Sequence, residues 1–95
     1  MAFRQGSLWN EQNEIRCLVV MKQLVDEGLP RGRQADYCRE LAKVTGLPVH
    51  SLSAKVGNFK SLAGLTGPSN WSQNSEAAWK AYGHLSTAEI RRLLK

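Results

Sequence analysis

The chain has 95 residues, enough for one domain with a small core and too few for two. Its 42% apolar and 22% charged residues exclude a disordered or fibrous chain, and the longest apolar run, residues 17–21, is far too short to cross a bilayer. Thirteen Lys and Arg stand against eight Asp and Glu, a net charge of +5 that favours an anionic partner, nucleic acid first among them.

Residues 1–8 read as a short arm. They carry Arg4, Gln5 and Gly6 and lack the apolar stretch of a signal peptide. Asn10 is an N-cap residue, and Glu11 and Glu14 in the turn after it suit the positive end of a helix dipole. Ile15, Leu18, Val19, Met21, Leu24 and Val25 then recur as a broad helical stripe until Gly28 and Pro30 stop it. Trp9, just before the cap, is placed to staple the start of this helix.

A connection at 29–33 exposes Arg31 and Arg33. A second helix follows over about 34–45, with Ala35, Cys38, Leu41 and Ala42 on one face and Gly46 to terminate it. Gly46 and Leu47 make a tight turn, and Pro48 suits the first position of a third helix over about 48–61. That helix turns Leu52, Val56 and Phe59 inward. Its remaining faces hold His50, Ser51, Ser53, Ala54, Lys55, Asn58 and Lys60, and Leu62 and Leu65 are expected to anchor its exit.

The segment 64–74 is loop-like in composition, and Ser75 is expected to cap a fourth helix that packs Ala78, Trp79 and Tyr82 inward and ends at Gly83. Ser86 and Glu89 form a capping box opening a last helix with Ile90, Leu93 and Leu94 on one side. The expected architecture is therefore all-α: a three-helix core with one or two further helices. It divides into an arm (1–8), a helix-turn-helix domain (9–83) and a C-terminal helix (84–95).

Helix, connection, helix, tight turn, helix is the order of a helix-turn-helix unit, whose last helix enters the major groove. The residues add to the pattern. Trp9-Asn10-Glu11, the Leu41-Ala42 and Thr45-Gly46 pairs, the helix from Ser51 through Lys55, Asn58 and Phe59 to Leu62, and the tail with Gly64-Leu65, Asn70, Ser72, Trp79 and Tyr82 are its carriers. In these the chain resembles the DNA-binding domain found ahead of HNH endonuclease modules in bacteria, prophages and mobile elements, a domain similar to Myb and SANT folds. The resemblance implies a sequence-reading DNA-binding protein, a phage or mobile-element regulator. It departs at Leu47, where the family has Arg, at the placing of Pro48, and at Gly57, where the family has Ser. His50 and His84 are the only histidines and make no His-Asn-His pattern, so nuclease activity does not carry over.

Between Glu40 and Glu76 the chain has no acid, while Lys43, Lys55 and Lys60 lie there. The candidate DNA contacts are accordingly Lys55, for phosphate or a guanine edge, and Asn58, for adenine. His50, Ser51 and Ser53 near the helix start, Ala54 against a thymine methyl, Lys60, and Arg31 and Arg33 on the backbone complete the set. A solvated polar face is the competing reading of the same residues. A protein-interaction module that binds and inhibits a host protein is the alternative function, and the C-terminal helix is a candidate contact for a homodimer or host protein.

Catalysis has little support. Cys17 falls on an apolar face away from any orienting group, two Cys and two His lack zinc-ligand spacing, and there is no phosphate-binding glycine loop. No enzyme activity, cofactor, metal, small-molecule substrate or membrane partner is expected. Two cysteines without a disulfide framework suit a cytoplasmic setting.

Overall fold

Asn10 is in the extended conformation, and its side chain accepts the Asn13 amide at 3.0 Å, satisfying one of the orphan donors at the start of α1 (Glu11–Asp26). Such a cap contributes about 1 kcal/mol. A computed structural model of the chain describes residues 9–94, and the expected arm over 1–8 lies outside them. Ile15, Cys17, Leu18, Met21 and Leu24 form the buried stripe of α1. The helix ends where Gly28 and Leu29 both take positive φ and the Leu29 amide reaches back to the Leu24 carbonyl at 2.8 Å.

The second helix, α2 (Arg33–Thr45), starts one residue earlier than expected and buries only Cys38 fully. Leu41 and Ala42 are half-buried against the core, but Ala35 is exposed, contrary to expectation. Gly46 ends α2 with φ 76°, its amide bonded to the Ala42 carbonyl. Three residues then separate α2 from α3 (Val49–Leu62). In that turn Leu47 is buried, and its amide donates to the Thr45 hydroxyl at 3.1 Å. Pro48 is the N-cap rather than the first helical residue.

Leu52, Val56 and Phe59 of α3 are wholly buried, each contributing roughly 1.5–3 kcal/mol through loss of apolar surface to water. They pack where α3 crosses α1 and α2. Leu62 is half-buried, whereas Leu65 is 43% exposed and anchors nothing.

The fourth helix, α4 (Gln73–Tyr82), is capped by Ser72 instead of Ser75. Ser75 lies inside the first turn, its amide capped by Ser72, and its buried hydroxyl is recruited by tertiary contact to donate to Glu14. Gly83 ends α4 as expected, with its carbonyl accepting Lys22 at 2.6 Å. A Cβ there would lie 2.6 Å from the Trp79 ring and carbonyl, so the close approach requires glycine.

The capping box of Ser86 and Glu89 is present at the start of α5 (Thr87–Arg91). Ile90 is fully buried, Thr87 donates to Asp26 at 2.6 Å, and Gln12 donates to the Leu93 carbonyl at 3.0 Å. The segment thus folds back on the core. The chain is thus all-α, a three-helix core with α4 laid against α1 and α3 and α5 against α1. Among the described residues no helix is long and apolar enough to cross a membrane.

Candidate nucleic-acid interface

The inward stripe of α3 contains one residue that belongs chemically to the surface. Lys55 is only 8% exposed, which corrects the expectation that it faces outward. It follows Leu52 by three positions and precedes Phe59 by four, so helical geometry turns it to the same side. Its ammonium lies 3.1 Å from Glu14 Oε2 and 3.0 Å from the Ser72 hydroxyl, and 4.5 Å above the Trp9 ring. Glu14 is completely buried, and its other oxygen accepts the Ser75 hydroxyl at 2.9 Å. One buried ion pair therefore ties α1, α3, the start of α4 and Trp9 together. Lys55 is committed to this cluster and takes no part in the outer surface.

Opposite that stripe lies a shallow polar face. His50 and Ala54 are exposed, and Ser51, Ser53, Gly57, Asn58 and Lys60 are half-buried. It holds no acid, because α3 contains none. Between His50 and Lys60 its side chains are small, and a Cβ built on Gly57 would meet no atom within 4 Å, so nothing inside the protein requires a glycine there. The Gly57 backbone can be approached closely from outside, at a helix-propensity cost of roughly 0.5–1 kcal/mol.

Two of the polar residues are held in place by a residue that sequence reasoning missed. Gln34, on the first turn of α2, donates to the Ser53 hydroxyl at 2.9 Å and to its carbonyl at 3.1 Å. Its Oε1 accepts Lys60 at 2.5 Å. Since an ammonium carries three donors, Lys60 keeps donors for a further acceptor. No one-dimensional pattern marks Gln34. Only the packing of α2 on α3 brings positions 34, 53 and 60 together.

Asn58 accepts a hydrogen bond from Ser69 at 3.3 Å, which leaves its amide donors available at the edge of the face. His50 and Ser51 sit in the first turn of α3, whose N-cap is Pro48 with no side-chain cap. The α2 start at Gly32 likewise has none, whereas Asn10, Ser72 and Ser86 cap the other three helices.

The two candidate arginines differ. Arg31 is exposed and has no ion-pair partner among the described residues. Arg33 lies 3.6 Å from Glu27 and 3.3 Å from Asp36, and stacks on Tyr37 with its guanidinium 4.7 Å from the ring centre. Arg33 is therefore neutralised locally. Arg39 and Lys43 are also paired with acids of their own helix. Acids along α2 offset its cations, whereas the outer face of α3 and Arg31 in the turn before α2 carry positive charge with no acid paired to it among the described residues.

Among the described residues there is no group of three or more His, Cys, Asp or Glu that could hold a metal ion. Both cysteines are buried free thiols, and desolvation pushes both above the ordinary thiol range, Cys17 far above it with the neighbouring Glu14 charge adding to the effect. Neither is poised as a nucleophile. Trp71 is half-buried, with its indole N–H donated to Glu76 at 3.2 Å, so it offers no open stacking platform. Comparison of the chain with protein-family models, curated proteins and solved structures finds no match to any of them.

Proposed function

We propose that the chain is a non-enzymatic module that binds double-stranded DNA, with the outer face of α3 lying in the major groove. The observation that carries this reading is the contrast between the two sides of α3. One side is closed by apolar residues and a neutralised ion pair. The other is acid-free, made of short side chains, and edged by Lys60 and Asn58. A helix so bared can approach base edges at backbone range, and the three-residue turn holding Gly46 matches the connection of a helix-turn-helix unit.

In this arrangement Asn58 is suited to an adenine edge and Lys60 to a guanine edge or a phosphate. Ala54 fits a thymine methyl. His50 and Ser51, with the free amides at the start of α3, suit backbone phosphates, as does Arg31. Lys55 drops out of the contact set, and Arg33 contributes only by giving up its acids. The resemblance to domains that precede HNH nucleases supports the same reading and suggests a phage or mobile-element regulator acting in the cytoplasm.

The test is fluorescence-anisotropy titration of mixed-sequence duplex DNA over a salt series. Non-specific affinity in the range of about 10⁻⁴–10⁻⁶ M is expected near physiological salt, weakening steeply as salt rises. Lys60→Ala should lower the salt slope by about 1, and Ala54→Glu should abolish binding. Absence of binding at low salt, or binding indifferent to both variants, refutes the proposal.

A further inference from the structure

A second surface lies between α1 and α2, away from the outer face of α3. Val19 and Val20 of α1, Leu41 and Val44 of α2 and the C-terminal Leu94 line a groove of about 240 Å³. Val44, at 66%, is the most exposed of the large apolar residues among those described. The C-terminal segment is fastened here through the bond from Gln12 to the Leu93 carbonyl, so the groove is a fixed feature of the fold.

The charges around the groove indicate its occupant. Arg16 lies on the α1 wall and Glu40 on the α2 wall, one of each sign. Neither is strongly held. Arg16 donates to Asn13 at 2.7 Å, and the Glu40–Lys43 pair is 73% exposed on both partners. A uniformly acidic or basic partner would match one wall and oppose the other. A second copy related by a two-fold axis matches both, because in an isologous contact Arg16 of each copy meets Glu40 of the other. Val44, 66% exposed among the lining residues, offers the apolar side chain that such a contact would cover.

From this geometry we infer that the chain self-associates as a symmetric dimer through the α1–α2 groove. The α1 wall of the groove is already nearly closed, Val19 and Val20 being 7% and 5% exposed, so the surface left for a partner falls well below the roughly 800 Å² per partner of a standard stable interface. The dimer is therefore weak and forms only as concentration rises. It leaves α3 uncovered and is measured without DNA, so its failure and that of the DNA-binding reading are separable.

Sedimentation equilibrium from low micromolar to millimolar protein tests it, with circular dichroism to confirm that each variant is folded. The wild-type chain should pass from monomer to dimer. Val44→Glu, at an exposed position where Glu is the better helix former, should remain monomeric throughout. Arg16→Glu and Glu40→Arg should each weaken association at least tenfold, and the double charge swap should restore it. A wild-type chain that stays monomeric, or a dimer unmoved by Val44→Glu and by the charge variants, overturns the inference.

Discussion

Replacing Lys55 by Met keeps the length and helix propensity of the side chain while removing its charge. In the native fold that charge lies 3.1 Å from a fully buried carboxylate, 3.0 Å from Ser72 and above Trp9. Among the described residues nothing else neutralises Glu14, whose other oxygen accepts the Ser75 hydroxyl. Leaving one member of such a pair uncompensated costs about 3–5 kcal/mol, because the desolvated charge has lost its counter-charge. A domain of this length has a total stability of roughly 5–14 kcal/mol, so the loss is a large fraction of the whole. The paired variant Glu14→Met/Lys55→Met removes both charges and keeps apolar volume, and at least half of the single-variant loss should return. Urea denaturation followed by tryptophan fluorescence measures all three variants as a double-mutant cycle. A cost below about 1 kcal/mol for Lys55→Met, or a double variant no better than the sum of the singles, would refute the buried-pair argument. Where Lys55→Met is still folded, its DNA salt slope should match the parent's, which separates a structural lysine from a phosphate-binding one.

Two further outcomes follow from the packing. Glycine-to-alanine substitution should have opposite signs at two positions: Gly57→Ala meets open space in mid-helix and should stabilise by about 0.5–1 kcal/mol, whereas Gly83→Ala drives a Cβ against Trp79 and should destabilise by about 1–3 kcal/mol, both read as shifts in the urea midpoint. Gly57→Ala should at the same time weaken DNA binding if the α3 backbone approaches the bases, and unchanged affinity would remove that part of the docking. Cys17 and Cys38, raised above the usual thiol range mainly by burial, should resist a thiol reagent in the native state and react on unfolding. Because their folded values are raised, the stability linked to them is complete below the unfolded value of roughly 8.5 and falls as pH rises above it. A native chain labelled at the unfolded rate would contradict the burial of both thiols.

Local chemistry made much of this fold legible in one dimension. Asn10, Gly46, Gly83 and the Ser86–Glu89 box mark helix ends through capping and backbone rules that act within four residues, and each stands at the terminus it indicates. The core stripe Leu52, Val56 and Phe59 follows from helical periodicity alone. The same periodicity placed Lys55 between Leu52 and Phe59, and Glu14 four residues before Leu18. Both therefore belonged to buried stripes despite their charge. Residue type argued for the surface and spacing for the interior; spacing prevailed because each residue found the other.

That meeting is what the sequence alone left undecided. The α3 residue Lys55 and the α1 residue Glu14 are 41 positions apart, and a buried charge is tolerable only when a distant segment supplies its partner. The Ser75 hydroxyl was recruited to Glu14 in the same way, and Gln34 became the clamp on Ser53 and Lys60 only because α2 lies across α3. The sequence determined which segments are helices and where most of them stop, since those choices depend on neighbours along the chain. Which polar residues are spent on holding the helices together, and which are left to face a partner, was decided by the tertiary structure, because a polar group's partner is set by distance in space.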